Sequence, residues 1–531
     1  MRKTQTQVQT AKITAASYRF AAASVAALAM AGCTTAAVVP LAPVAAPPAP
    51  TIKKTSVKTT ASAEKAASVA APEPTASPAP EPPPGPPRLW ATKGLVRIYD
   101  RPDRNGSVIG VIRAGQGVVL KETELTTERT TKRPYKCTGG WYPVEPRGFA
   151  CVGGDGFGTL DPKHPGVIAA RAALPDLNKA YPFRYGTSVG APRYLRIPTE
   201  AEQRQAESGL DAYRASIPAP NDKGAIDLRP AGKGPSAELL RYLDEAQPEL
   251  VHEKDAYDGY KVAFTDEFDA HGRTWLLTAD LTFVPKDKIR QRPLPMFKGI
   301  DLKQRKDLSF PLGFFWTLDT KKWQMGPDRR LYQTDEVVLR HSFVEATLEQ
   351  ARGPGGLFWK LRDGYYVPFQ TMSLIRTVDK NAIPSGIGPK GKWIDVRVTW
   401  GYLIAYENRT DPVYVTAVSP GAAGIAKRGN ATARGKQYVD WKLYTGDMSG
   451  RDGKKDWFID EIPWVQYYKA AYALHGAFWH DDYGRPKSHG CINLAPRDGQ
   501  FLFNWMDPVI PKDWYGVSTY KERGTLILIR P

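Results

Sequence analysis

A thiol and an imidazole on separate segments near the C-terminus must meet if this chain is to do chemistry. Cys491 lies in Ser488-His489-Gly490-Cys491-Ile492-Asn493-Leu494, and His475 lies upstream in Leu474-His475-Gly476, with 12 residues between it and Ser488. The chain holds only 4 Cys and 7 His in 531 residues, yet His475, His480, His489 and Cys491 fall within 17. Cysteine nucleophiles act as thiolates, and a nearby imidazole makes one by taking the proton. A buried structural cysteine among packing histidines is the plain alternative.

The motif resembles that of the L,D-transpeptidase (YkuD-type) catalytic domain: a His, a spacer, then Ser/Thr-His-Gly-Cys-apolar-Asn. The resemblance covers residues 388–531. Ile394-Asp395-Val396 and Tyr402-Leu403-Ile404-Ala405-Tyr406 resemble the domain's first hairpin, and Ile462-Pro463-Trp464-Val465-Gln466-Tyr467-Tyr468 its aromatic stretch before the His. Gly524-Thr525 opens a similar last strand. Ala433, where many members have Pro, and a slightly short spacer are departures in loops rather than in chemical groups.

The resemblance implies a role for each residue. Cys491 is the nucleophile, His475 its proton acceptor, and the Gly476 carbonyl the group that orients the imidazole. The backbone N–H groups of Gly490 and Cys491, with His489, are the candidate oxyanion donors. Ser488, Trp464, Tyr467 and Trp479, with Tyr483 beside them, are candidate substrate contacts, and Asn493 a brace for the loop. The implied reaction is acyl transfer through a thioester from a peptidoglycan tetrapeptide stem to an amine, on the wall or on an envelope protein. No metal or cofactor is expected.

Three other readings compete. An L,D-carboxypeptidase would hand the same thioester to water. A zinc hydrolase would use His475, His480, His489 and Cys491 as ligands, although their spacing fits no established zinc pattern. A non-catalytic wall-binding lipoprotein would need only β-modules and a tether.

The N-terminus reads as an export signal. Arg2, Lys3, Lys12 and Arg19 precede an apolar run of 13 residues from Phe20 to Gly32, too short to span a bilayer. Ala31-Gly32-Cys33 resembles a bacterial lipoprotein cleavage box, so residues 1–33 are expected to be a signal peptide with Cys33 its lipidation site. A periplasmic or outer-membrane lipoprotein follows, held to the membrane by its lipid. The net charge is +18, of which +14 lies from Cys33 onward, which suits anionic envelope polymers. No nucleic-acid motif accompanies it.

Residues 34–88 contain 14 prolines and no aromatic residue, a composition that forms no core, and are expected to be a disordered linker. From Trp90 the chain turns globular and mainly β. Residues 89–160 resemble a small Src-homology-3-type barrel, and Cys137 and Cys151, 14 apart on strand-like segments of an exported chain, are its expected disulfide. Residues 165–385 read as β-rich with minor helix around Thr199 to Arg214, in one or two modules. A recurring spacing marks this half: Trp141 then Phe149, Trp275 then Phe283, Trp359 then Tyr366. The expected architecture is mainly β, with small barrel-like modules before a C-terminal YkuD-type β-sandwich catalytic domain. Pro496 opens an expected helix whose Phe501, Leu502, Trp505 and Met506 form one apolar face.

Overall fold

The computed structural model describes residues 85–121, 137–153, 157–216, 234–246, 249–251, 258–421, 431–452, 455–519 and 522–531. The readings for Cys33, the signal segment and residues 34–84 lie outside the described residues. The described residues are mostly β and form four sheets. Arg88 already belongs to the first strand, Arg88–Ala91, so the linker boundary placed at 88 falls slightly late.

Residues 89–160 contribute to two sheets. Gly117–Val119, Arg88–Ala91 and Gly158–Thr159 form a small antiparallel sheet. Leu95–Tyr99, Val108–Arg113, Trp141–Pro143 and Phe149–Cys151 join a much larger one, because Val108–Arg113 pairs with Gly516–Ser518 near the C-terminus (Val111 opposite Gly516). Cys137 and Cys151 form a disulfide with their Cα atoms 5.7 Å apart, packed with buried Trp141 and Tyr99.

The recurring Trp–aromatic spacing marks three hairpins. Trp141 pairs with Cys151, Trp275 with Pro285 and Trp359 with Val367 across antiparallel ladders. In the second and third, a short 3₁₀ turn follows the closing proline (Lys286–Lys288 and Phe369–Thr371). A strand at once resumes in each, Ile289–Arg290 and Met372–Ile375. Two β-rich stretches thus share a supersecondary unit. Their surroundings differ: Arg184–Ser188, Lys261–Ala270 and Arg273–Thr278 join the large sheet, whereas Leu312–Phe315 through Met372–Ile375 form a separate seven-stranded sheet. The helices Glu200–Ala206, capped by Thr199, and Leu210–Ser216 fall where minor helix is expected.

Two sheets frame the C-terminal region. One runs Ile300–Asp301, Asp411–Ala417, Tyr402–Glu407, Trp393–Arg397, Leu526–Arg530, Gly435–Tyr438, with Trp393–Arg397 and Leu526–Arg530 parallel. The other is the large sheet, entered through the long hairpin Trp441–Asp452 and Lys455–Lys469. The helix Pro496–Trp505 lies along their core, with Leu502 and Met506 buried against Ile394, Leu474 and Ile527, and Phe501 and Trp505 packed at the margin. Its C-terminus is held by Lys442, whose buried ammonium donates to the Phe503, Met506 and Pro508 carbonyls at 2.5, 2.8 and 2.8 Å. Those carbonyls would otherwise be orphaned at the helix end.

Candidate active site

Two short parallel strands bring the thiol and the imidazole together. Tyr472–Gly476 leaves the long hairpin, and Ile492–Leu494 returns beside it, with Leu474 opposite Ile492, His475 opposite Asn493 and Gly476 opposite Leu494. Alternation along a strand then fixes the faces. Leu474, Ile492 and Leu494 enter one core cluster, while Ala473 and Cys491 pack on the other side with Val465, Phe478 and Trp479. His475 and Cys491 therefore share a face, one strand apart and two residues along. For ideal strands that offset is on the order of 8 Å between Cα positions.

His475 is buried and its Nδ1 lies 3.3 Å from the Gly476 carbonyl. That contact places the proton on Nδ1 and leaves the Nε2 lone pair for chemistry. The Trp479 indole stacks on the imidazole, with centroids 5.7 Å apart and planes at 29°. Burial pushes the His475 pKa down to about 4, outweighing the Gly476 carbonyl. Burial also raises the Cys491 thiol, against a smaller opposing effect of the Ala473 backbone. The resting pair is thus neutral thiol and neutral imidazole. Cys491 Sγ faces the Ala471 carbonyl at 3.7 Å.

The turn before Cys491 is tied by Ser488, whose Oγ accepts from the Gly490 N–H at 3.0 Å and donates to the Cys491 carbonyl. Gly490 sits at φ +133°, and a Cβ there would come within 2.6 Å of Tyr472 Cε1, so only glycine fits. Asn493 is buried, and its backbone exchanges two 2.9 Å hydrogen bonds with Ser419. Its carboxamide lies 2.9 Å from His480 Nε2. The near atom is Asn493 Nδ2, whose N–H donates to His480 Nε2, and the Asp482 N–H lies 3.2 Å from His480 Nδ1 on the other side of the ring. Burial holds His480, too, down at about 4. His489 is exposed and stacks on Trp457, centroids 5.1 Å apart.

Three expectations need correction. Trp464 is no substrate contact: it is 1% exposed, packs on Tyr444 and Phe503, and donates its indole N–H to the Ala180 carbonyl. Ser488 is also buried, and both functions of its hydroxyl are used within the turn. The Gly490 N–H is occupied by that hydroxyl, which removes it from the oxyanion donors. Tyr467 and Trp479 stay half-buried on the face that carries Cys491. Tyr483 is fully buried and donates to the Ala477 carbonyl. The four residues of the zinc reading are not gathered, since His489 lies on Trp457 while His480 bonds Asn493. The His480–Asn493 contact was not anticipated as a brace; two polar residues 13 apart carry no local signal for it.

A cavity of about 260 Å³ opens beside Trp479 and His480, walled on its far side by Thr187, Lys261, Arg290 and Arg292. A larger one of about 720 Å³ borders Tyr467 and is lined chiefly by residues preceding the C-terminal region, with Asp447, Glu461 and Tyr515.

Residues 391–529 match the family model of the YkuD L,D-transpeptidase catalytic domain. No curated protein sequence matches the chain. Among solved structures, a mutant Enterococcus faecium L,D-transpeptidase is similar at 19% identity and TM-score 0.21, over 27% of this chain and 50% of that one. The catalytic domain of the E. faecium enzyme, solved by NMR, is similar at 20% identity and TM-score 0.20, over 27% of this chain and 98% of that one. L,D-transpeptidase 3 from Mycobacterium tuberculosis is similar at 14% identity and TM-score 0.21, over 40% and 79%. The chain thus spans about half the length of the first of these relatives.

Proposed function

We propose that residues 391–529 form a cysteine-dependent peptidoglycan L,D-transpeptidase. The observation that carries this reading is the parallel pairing that sets His475 and Cys491 on one face, with the imidazole fixed by the Gly476 carbonyl. The YkuD match over the same residues supports it.

In this reading Cys491 Sγ attacks the carbonyl of the third residue of a tetrapeptide stem. His475 Nε2 takes the thiol proton as the S–C bond forms, then gives it to the leaving nitrogen as the C–N bond breaks. Terminal D-alanine departs and a thioester remains. An amine from a second stem or an envelope protein takes the acyl group and regenerates the thiol. A neutral resting pair makes proton transfer part of the attack rather than a standing ion pair. The Cys491 N–H and the His489 imidazole are assigned to the oxyanion.

The test is incubation of the purified protein with defined tetrapeptide muropeptides and an acceptor amine, with products read by mass. Cross-linked product that disappears in Cys491→Ala supports the assignment. Tripeptide alone, even with excess amine, moves it to an L,D-carboxypeptidase.

We further propose that Cys33 is lipidated and tethers the enzyme to the bacterial envelope, as Ala31-Gly32-Cys33 and the preceding apolar run indicate. Cys33→Ala should move the protein from the detergent-extracted to the soluble envelope fraction. An unchanged membrane fraction contradicts it.

A further inference from the structure

The segment that joins the two paired strands, residues 477–491, is gripped from outside residues 391–529. Its Asp481 and Asp482 meet Arg340, in the tight turn between the strands Leu331–Val338 and Phe343–Gly353 of the seven-stranded sheet. Arg340 Nη1 donates to Asp481 Oδ2 at 3.4 Å, and Nη2 donates to the Asp481 carbonyl. The same Nη2 lies 3.6 Å from Asp482 Oδ1. One guanidinium thus takes two carboxylates and a backbone carbonyl, a use that suits its rigid fork of donors.

The turn that carries Arg340 is itself fixed. The His341 N–H donates to the Phe315 carbonyl at 2.6 Å, and the Phe315 N–H donates to the Ser342 carbonyl at 3.1 Å. His341 sits at φ +64°, a conformation that a non-glycine residue keeps only where its surroundings impose it. Its ring packs among Phe297, Phe314 and Tyr483, with centroids 5.0, 6.0 and 6.2 Å away. Tyr483 belongs to the joining segment, so one turn holds that segment by charge and by apolar contact.

From Arg340 the contacts run on to the site without a gap. The Asp482 N–H lies 3.2 Å from His480 Nδ1, Asn493 Nδ2 donates to His480 Nε2, and Asn493 stands opposite His475. A second route leaves the Asp482 carbonyl, which accepts from Ser419 Oγ at 2.9 Å. Ser419 in turn exchanges its backbone bonds with Asn493. Lys487 also reaches Asp482, at 2.8 Å, but it lies on the joining segment and can move with it. Among the described residues, the ion-pair partners of Asp481 are Arg340 and His341. Burial lowers the His341 pKa, so that ring is neutral at pH 7. Without Arg340, two adjacent carboxylates would repel each other beside His480.

We infer that Arg340, although outside residues 391–529, is a positioning residue for the reaction. It holds Asp481 and Asp482, and through His480 and Ser419 it holds Asn493 in the register that puts Cys491 on the face of His475. This rests on the reading given under Proposed function. The seven-stranded sheet then serves the site as its outer support.

The experiment has two readouts, and the first needs no stem peptide. The full chain is treated with iodoacetamide at pH 7, and alkylation of Cys491 is followed by peptide mapping, with His475→Ala giving the rate without the imidazole. Arg340→Gln should lower the rate about tenfold, and Arg340→Lys should recover at least about a third of the wild-type value. The losses in Arg340→Gln and Asn493→Ala should not add in the double variant, because both act through one chain of contacts. The second readout is D-alanine release from tetrapeptide stems, where Arg340→Gln should lower kcat about tenfold and leave KM within about twofold. An unchanged alkylation rate in Arg340→Gln, no recovery in Arg340→Lys, additive losses, or a raised KM at unchanged kcat overturns the proposal. Failure of Arg340→Gln to fold also overturns it, marking an ion pair that serves stability alone. If the alkylation results hold but wild type releases no D-alanine, the positioning role stands and the transpeptidase reading falls.

Discussion

His475 and Asn493 sit directly opposite each other on adjacent parallel strands, and each is held by a different partner, the Gly476 carbonyl and His480. The pairing sets the register that places Cys491, two residues before Asn493, on the imidazole's face. Asn493→Ala should loosen that register. It removes the Nδ2–H donor to the buried His480 Nε2, at a cost of roughly 1–3 kcal/mol in stability. The rate of Cys491 acylation should fall along with the melting temperature. An unchanged melting temperature would show that the contact braces nothing.

Replacing the proposed proton acceptor separates chemistry from binding. His475→Ala should slow acylation by about 10²–10⁴-fold, the usual contribution of a general base. His489→Ala should cost less, because the proposed mechanism gives its imidazole a role only at the oxyanion. Single-turnover acylation rates distinguish the two, and equal losses would contradict the assignment of roles.

The acid limb of kcat/KM should lie near pH 4 rather than 6.5, because burial lowers His475 to about 4 and only the neutral ring accepts a proton. A limb between 6 and 7 would place the titrating group elsewhere.

The same shift has a consequence for stability. Between pH 6.5 and about 4 the unfolded chain binds a proton at this position that the native ring refuses, so acid destabilises the fold and the effect is absent above 6.5. The loss at pH 5 is about 2 kcal/mol for the one group. Asp498, fully buried and raised to about 6 mainly by that burial, acts in the opposite sense over most of that window. The comparison is therefore between wild type and His475→Gln by denaturant titration at pH 7 and pH 5. The variant should lose less stability on acidification, and equal losses would contradict the shift.

Lys442→Met should destabilise by roughly 1–3 kcal/mol, since three carbonyls at the end of the Pro496–Trp505 helix lose their donor. Denaturant midpoints check this, and a neutral result would mean that water replaces the ammonium. Reduction of Cys137–Cys151 should cost about 3 kcal/mol by loop-closure entropy, visible as a lower melting temperature in reductant.

The two strings that pair at the candidate site, Ser488 to Leu494 and Leu474 to Gly476, were legible because each is short and contiguous. The helix at Pro496 was legible for the same reason, from a first-turn proline and an apolar face. Contacts that depend on long-range pairing were not. Nothing in Val108–Arg113 announces Gly516–Ser518 as its neighbour, and nothing in Arg290 announces Thr187. Trp464 misled because it sits at φ +62°, which breaks the strand's alternation. Its ring lies against Tyr444 and Phe503, so a residue read as groove wall became core. Ser488 misled because a hydroxyl beside a nucleophile looks like a substrate contact until its own turn is seen to use it.

The most direct test of the central claim is intact-mass analysis of the protein after brief exposure to a tetrapeptide stem, followed by peptide mapping. The account predicts an acyl adduct on Cys491, with one D-alanine released per adduct and none of either in Cys491→Ala. D-alanine release that persists in Cys491→Ala would contradict it.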